Sequence, residues 1–361
     1  MALLAGGLDP ARYRALVVLA MDGELRDDLE AAGAEVLVRP LAVLRRAAMS
    51  PAGLARIAGA VARDGAGLGR LMRGRAVALV HTNTSVTLGG AAAARIARVP
   101  HVWHVREIYA GFERWWPAYR RLLLSADALP CVSQAARAQL GATAKAHVLH
   151  DGLALAPQRA PQAPARAALG LPAGAFVVAI LGRISSWKGQ DVLIRALAER
   201  TLERSAFALL AGDPWRGEER RLHELRELAA SLGVADRVLF AGFRPDVDNV
   251  LGAADVVAVP STQPDPLPNA ALEAAAAGCC VVAADHGGLP EIIADGATGR
   301  LVAPGDAAAL AAVLAELRAD PAARERLAAA AARDVRERFS AAQLLHRTQA
   351  LYDALAARRA A

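Results

Sequence analysis

Two carboxylates and two cations are spaced in this chain so that together they could hold a sugar joined to a diphosphate. Residues 260–268 carry four prolines and Asp265, and an alanine-rich segment follows that Gly278 closes. Proline suits a first helical position, where the N–H it lacks has no intrahelical acceptor. The spacing therefore predicts a helix that starts at Pro268 or Asn269. The free N–H groups at such a start, with the helix dipole behind them, form an anion site whose usual guest is phosphate. Asp265 stands just outside that mouth, and Glu273 lies about one turn inside it from Asn269. Carboxylates repel a phosphate, so these two belong to whatever flanks it, and hydroxyls on either side of a phosphate describe a sugar nucleotide. The plainer alternative is a helix with Asp265 in its entry turn and Glu273 on a solvated face.

The cations are Arg183 and Lys188, in the run Gly182-Arg183-Ile184-Ser185-Ser186-Trp187-Lys188-Gly189 that follows the apolar residues 176–181. Open parallel α/β sheets place their ligands just beyond such strands. An arginine fork takes two oxygens, and a lysine gives one a compact charge. Of the 42 basic residues only Lys145 and Lys188 are lysines, so a lysine at 188 stands out against the drift to arginine. With the helix start at Asn269, the pair matches a diphosphate. If that diphosphate is a leaving group, fixed cations stabilise the charge it gains in the transition state. A surface turn with two solvated cations is the alternative.

The elements that must position these groups alternate. Strands are predicted at 15–20, 34–38, 76–80, 99–103, 128–132 and 146–149, and again at 176–181, 207–211, 238–241, 256–259, 280–284 and 299–303. Helical stretches separate them, with the last helices at 307–317, 322–338 and 341–359. Strand–helix alternation means parallel sheets covered on both faces. Residues 65–69 are glycine-rich but follow no strand, which fails the context of a dinucleotide loop. Pro157, Pro161 and Pro164 interrupt the alternation. The chain thus reads as an N-terminal Rossmann-like domain over 1–152, a linker over 153–172, a second such domain over 173–338, and a closing helix over 339–361. The fold class is α/β, two facing Rossmann-like domains with mostly parallel sheets. His104 ends a strand of the first domain and is expected to face the cleft between domains, with Arg106 and Glu107 beside it. His81, His101 and His150 are read as structural.

The acidic pair ahead of an alanine-rich helix and a glycine resembles the E-x7-E motif of glycosyltransferase family 4. Gly287-Gly288-Leu289-Pro290-Glu291-Ile292 and Gly296-Ala297-Thr298-Gly299 resemble that family's next signatures, at the right distances. The resemblance implies the GT-B architecture and transfer from a nucleotide-diphosphate sugar to a glycan, lipid or small-molecule acceptor, with retained anomeric configuration. It implies that Asp265 meets hydroxyls of the donor sugar and Glu273 the ribose. Gly182, Arg183, Lys188, Leu267, Asn269 and Ala270 then form the donor site, and Arg244 flanks the base. His104 matches the family's cleft histidine near the donor sugar, and Glu107 is a candidate acceptor contact. The first acid is Asp where Glu is commoner, and Pro268 stands where the family often has Gly, removing one backbone donor. No metal and no cofactor beyond the donor are implied. Asp246-Val247-Asp248 spells the D-x-D of metal-dependent glycosyltransferases, but Asp246 is here read as the N-cap of a helix reaching 254.

Composition narrows the partners. The chain is 55% hydrophobic and only 4% aromatic, with a net charge of +6. Its basic residues are interleaved with 36 acids and lack stacking aromatics, which argues against nucleic acid. Residues 44–75 gather Arg45, Arg46, Arg56, Arg63, Arg70, Arg73 and Arg75, either a solvated helix face or a contact with an anionic membrane surface. No uncharged run approaches the roughly 18 residues of a membrane span. Cys131, Cys279 and Cys280 sit in apolar runs without metal-ligand spacing, as in a cytoplasmic protein with reduced thiols.

Family members usually open with a strand and a Gly-rich loop ahead of a stretch like Gly7-Leu8-Asp9-Pro10-Ala11-Arg12-Tyr13, and Met1 falls within the helix between them. This predicts a start assigned roughly 20 residues late or a chain that binds donor but transfers poorly. The other readings carried are a non-catalytic or weakly active sugar-nucleotide-binding remnant of the fold, another GT-B enzyme such as a sugar-nucleotide epimerase, and a basic nucleic-acid binder.

Overall fold

Short apolar runs, each followed by a turn and a helical stretch, fold here as parallel strands with helical crossovers. The computed structural model describes residues 1–45, 48–153, 157–202, 204–215 and 217–360, with residues 359 and 360 described by backbone alone. Residues 1–82 hold α1 (Ala2–Gly7), β1 (Leu16–Leu19), α2 (Glu24–Ala31), β2 (Glu35–Val38), α3 (Pro51–Gly74) and β3 (Val80–Thr82). Next come α4 (Gly89–Ala97), β4 (His101–Trp103), α5 (Trp116–Leu123), β5 (Leu129–Cys131), α6 (Gln134–Ala138) and β6 (Ala146–Val148). The alternation continues through α7 (Gln162–Ala168), β7 (Phe176–Leu181), α8 (Gln190–Ala198), β8 (Ala206–Ala211), α9 (Glu219–Ser231) and β9 (Val238–Gly242). It ends with α10 (Val247–Ala253), β10 (Val256–Val259), α11 (Asn269–Ala276), β11 (Cys280–Ala284), α12 (Leu289–Ile292), β12 (Arg300–Val302), α13 (Ala307–Ala319), α14 (Pro321–Arg338) and α15 (Ala341–Ala360). The chain divides into two units, Met1–Ala154 with Ala341–Ala361, and Leu155–Ser340.

The Leu155–Ser340 unit is built on a six-stranded parallel sheet in the order β12-β11-β10-β7-β8-β9. Every residue of β7 but the last is buried, as a strand covered by helices on both faces requires. Its core joins Val178, Ile180, Leu193, Leu197, Leu210 and Leu310. Strand order reverses between β7 and β10: the chain winds outward through β8 and β9, then crosses back to start again at β10. The loops leaving the carboxyl ends of β7 and β10 are therefore neighbours, and ligands of open α/β sheets bind at such a switch point. Residues 182–189 and 260–268 meet there.

The other unit has parallel pairs β1–β2, β3–β4 and β5–β6, and single bridges Val102↔Ala128 and Val105↔Cys131 tie β4 to β5. Leu351, Tyr352 and Leu355 of α15 pack on Leu79, Val102 and Ala128. Tyr13 donates to Asp353 at 2.6 Å, and Arg12 pairs with the same carboxylate at 2.7 Å.

Two expectations change, at 76–80 and at 153–172, and the glycine-rich 65–69 gains a packing reason. The strand expected at 76–80 begins only at Val80, because α3 runs on to Gly74 and Ala76 turns the chain with a φ of 50°. The glycine-rich stretch 65–69 lies inside α3, where it lets α4 approach: a Cβ on Gly65 would stand 2.8 Å from Ala92 Cβ, and one on Gly69 2.6 Å from Ile96 Cγ2. The expected linker 153–172 contains α7, whose buried Arg166 pairs with Asp255 at 2.6 Å. Residues 154–156 of that stretch, and Arg46 of the basic region, lie outside the described residues. Among the described residues no helix is long and apolar enough to cross a membrane.

Candidate functional site

The predicted helix start is where the sequence places it. Pro268 is the N-cap of α11, gives no side-chain cap, and leaves the N–H groups of Asn269 and Ala270 without an acceptor among the described residues. Asn269 is exposed and Ala270 half-buried, whereas Leu267 is buried, so any ligand contact at Leu267 falls to its backbone.

Asp265 is 7% exposed, and its Oδ2 accepts from Lys188 Nζ at 2.7 Å. The loops carrying them are pinned together: Thr262 N donates to Trp187 O at 2.7 Å, and the Lys188 ammonium lies 4.3 Å from the centre of the Trp187 ring. Gly189 makes the approach possible. It has a φ of 78°, which favours glycine, and a Cβ there would come within 2.0 Å of Pro260 O. The loop after β11 supports Asp265 from the other side, with Gly288 N donating to Asp265 O at 2.8 Å. A Cβ on Gly287 would sit 2.3 Å from that same oxygen, which gives the Gly-Gly of the 287–292 signature a steric reason.

Gly182 and Arg183 are exposed, and the guanidinium carbon lies 4.5 Å from the centre of the Trp215 ring, itself 58% exposed. No carboxylate pairs with Arg183 among the described residues. The two predicted cations thus differ: one is held against a carboxylate and the other is open. Glu273 is half-buried with no side-chain partner among the described residues, and burial raises its pKa above the usual carboxylate value. Arg244, expected beside a base, donates to Asp246 at 2.5 Å, and Asn249 donates to the same carboxylate at 3.0 Å. Asp246 does precede α10 as N-cap, but its side chain caps no helix N–H. Asp248 accepts from Gln158 N at 3.1 Å. Among the described residues no three His, Cys, Asp or Glu side chains gather as metal ligands.

Some site residues had escaped the sequence reading. Gln190 is buried and donates to Arg183 O at 3.0 Å, fixing the loop that carries the open cation. The Oγ atoms of Ser185 and Ser261 are buried with no partner among the described residues. Trp215 and Phe243, the latter 73% exposed, follow β8 and β9. The available signal was a large ring just after a parallel strand in a chain so poor in aromatics.

In the Met1–Ala154 unit, His104 is fully buried, its N–H donating to Thr82 O at 2.9 Å. Burial and the neighbouring His81 and Arg106 charges hold its pKa well below the ordinary value. Glu107, expected as an acceptor contact, spends both oxygens inside the unit. Thr84 Oγ1 and Ser85 Oγ donate to it, as do the backbone N–H groups of Ser85 at 3.2 Å and Arg106 at 3.1 Å. It clamps the loop after β3. Arg106 in turn forms a bidentate pair with Asp151, at 2.6 and 2.5 Å.

Comparison with known proteins covers both units. Residues 162–334 match the family model "Glycosyl transferases group 1", and residues 2–156 match "Glycosyltransferase Family 4". A curated D-inositol 3-phosphate glycosyltransferase of Nocardia farcinica is 45% identical over 146 residues, 39% of this chain and 32% of that protein. Its namesake in Streptomyces avermitilis is 41% identical over 201 residues, 52% of this chain and 42% of that protein. These matches span well under half the length of the curated relatives. Among solved structures, HepE of Anabaena in complex with UDP-glucose superposes with a TM-score of 0.82 at 30% identity, covering 98% of this chain and 94% of that one. A glycosyltransferase of Rickettsia africae gives a TM-score of 0.80 at 19% identity, a likeness of fold alone.

Proposed function

Since the chain belongs to the family 4 glycosyltransferases and has their GT-B fold, we propose that it transfers a sugar from a nucleotide-diphosphate sugar to a glycan, lipid or small-molecule acceptor with retention of configuration. The observation that carries this reading is the Lys188–Asp265 pair beside the open start of α11, with Arg183 exposed on the neighbouring loop. The diphosphate lies against the N–H groups of Asn269 and Ala270 and between Arg183 and Lys188, and Asp265 holds Lys188 in place before the donor arrives. As the glycosidic bond breaks, the leaving phosphate gains charge facing cations that need no reorganisation. Its oxygen takes the acceptor's proton on the same face, so no protein nucleophile is required. Glu273, half-buried and without a side-chain partner among the described residues, receives the ribose hydroxyls, and Arg244 flanks the base.

HepE of Anabaena is seen in complex with UDP and with UDP-glucose, which makes uridine the first base to try. The relatives' name makes an inositol phosphate one acceptor to include. The reaction is placed in the cytoplasm, in keeping with three buried free thiols. Arg56, Arg63 and Arg70 recur every seven residues and are exposed on α3, which supports contact with an anionic lipid surface; salt-sensitive co-sedimentation with phosphatidylglycerol vesicles tests it.

The deciding experiment is a thermal-shift panel of UDP, GDP and ADP and their sugars, because a ligand bound only by the folded state raises its stability. One base should raise Tm above the others and support turnover. No shift with any of them overturns the reading, and a shift without turnover returns the non-catalytic remnant.

A further inference from the structure

Both cations of the proposed donor site rest on an indole, in a chain with only five tryptophans. The Lys188 ammonium lies 4.3 Å from the centre of the Trp187 ring and is also held by Asp265. Arg183 differs. Its guanidinium carbon lies 4.5 Å from the centre of the Trp215 ring, and no carboxylate pairs with it among the described residues.

The backbone builds this contact. β7 and β8 pair in parallel register up to Leu181 and Ala211, and the loops stay laced together beyond them. Gly182 N donates to Ala211 O at 2.9 Å and Ile184 N to Asp213 O at 3.0 Å, and a bridge joins Ile184 to Pro214. Gly212 permits the approach: its φ is 149°, and a Cβ there would stand 2.1 Å from Gly182 O. Gln190 Nε2 holds the Arg183 carbonyl at 3.0 Å, and Glu218 N donates to Trp215 O at 2.8 Å. Arg183 and Trp215 therefore sit on two loops whose register is set by the sheet.

The chemistry of the ring decides what this does. An indole face attracts a cation through its quadrupole and carries no net charge. A carboxylate would hold the guanidinium as well, but it would cancel the charge and compete with any phosphate that arrived. On an indole, the guanidinium keeps its whole charge for the next anion.

We propose that Trp215 is a positioning residue that holds the Arg183 guanidinium at the donor site with its charge uncancelled, ready for the leaving diphosphate. This rests on the reading, given above, that Arg183 meets the diphosphate. Lys188 is oriented by a carboxylate and Arg183 by a neutral ring, so the uncancelled charge of the trio Lys188, Asp265 and Arg183 is that of Arg183.

The first readout needs no ligand. The ring current of an indole moves protons lying over its face upfield, so the side-chain N–H and Cδ protons of Arg183 should resonate upfield in the wild-type protein. They should return to ordinary positions in Trp215→Leu, and Arg183→Ala identifies the signals by their loss. An unshifted Arg183 in the wild type overturns the proposal. Turnover of the nucleotide sugar that gives the largest shift in the panel supplies the second readout. Trp215→Leu should lower kcat/KM about fivefold, the size of one cation–π contact at an exposed site. Trp215→Phe should recover most of that loss, and equal losses in the Leu and Phe variants count against the proposal. Trp215 is 58% exposed, so Tm should stay near wild type in both. In an Arg183→Ala background Trp215→Leu should have no further effect, since a residue that acts through another falls silent once that other is gone. Losses that multiply in the double variant would give Trp215 a contact of its own and overturn the proposal with the diphosphate site intact. Near-normal turnover in Arg183→Ala would remove both that site and its positioning residue.

Discussion

Lys188 and Asp265 stand 77 residues apart in the chain and 2.7 Å apart in space. The reversal of strand order between β7 and β10 brings their loops together, and Gly189 lets the backbones touch. Asp265 is nearly buried and the Lys188 side chain is 22% exposed, so the ammonium is fixed yet still open on one side. A cation oriented in advance costs nothing to reorganise when phosphate charge develops.

Removal of either cation should therefore hit turnover. Lys188→Ala and Arg183→Ala should each reduce kcat on the order of 10² or more. Lys188→Ala should also destabilise the fold by ~1–3 kcal/mol, since it leaves the Asp265 carboxylate without its donor. Arg183→Ala, which breaks no ion pair among the described residues, should leave Tm near wild type. Donor turnover and thermal melts of both variants check this, and near-normal rates in both would dismiss the diphosphate site.

Glu273 should read the ribose. Its raised pKa and its lack of a side-chain partner among the described residues describe a carboxyl waiting for hydroxyls. Glu273→Ala should weaken binding of a ribonucleoside diphosphate by about 1.5–3 kcal/mol, as for hydrogen bonds to a charged group, and leave the dideoxy analogue unaffected. Calorimetric titration of both nucleotides decides it; equal losses for the two would place Glu273 elsewhere.

Transfer should survive EDTA. Asp246 is engaged by Arg244 and Asn249, and Asp248 by Gln158 N, so the D-x-D residues already have partners. Asp248→Ala should keep donor turnover near wild type. Activity lost to chelation and restored by Mn²⁺ would reinstate these aspartates as metal ligands.

Acid should loosen the unit that contains the histidines. Burial lowers His81 to about 3 and His101 to about 4, and lowers His104 in the same direction. The unfolded chain, with ordinary histidines near 6.5, binds more protons than the folded one below that pH. The stability from neutral histidines is thus complete above about 6.5 and falls as pH drops toward 3, by at most about 1.4 kcal/mol per pH unit for each group. Denaturant melts at pH 7.5 and 5.5 should show the fall, flattened in His81→Gln. A flat wild-type profile would contradict it.

Much of this was legible because local pattern and topology agreed. The apolar run Phe176–Leu181 and the Pro-rich entry to α11 need only periodicity and proline chemistry to be read. Arg183, Lys188 and Asp265 were found by type and by position after strands. What the sequence hid was pairing between distant residues. Nothing local says that Lys188 would be held by Asp265, that Glu107 would turn inward on Thr84 and Ser85, or that Arg244 would meet Asp246. His81 looked merely structural because its two partners, His104 and Tyr352, lie just past another strand and on the last helix.

The return of α15 to the first unit bears on the order in which the chain can fold as it is made. Tyr13 and Asp353, bonded to each other, are separated by 340 residues, so the amino-terminal unit lacks its closing helix until residues 341–360 have been made. The Leu155–Ser340 unit is continuous and has all its strands once residue 302 has emerged. Domains usually mature from the amino terminus during translation. Here the second-made unit should be protease-resistant first, and a nascent chain halted once Ser340 has left the ribosome should carry a finished Leu155–Ser340 unit beside an unfinished partner.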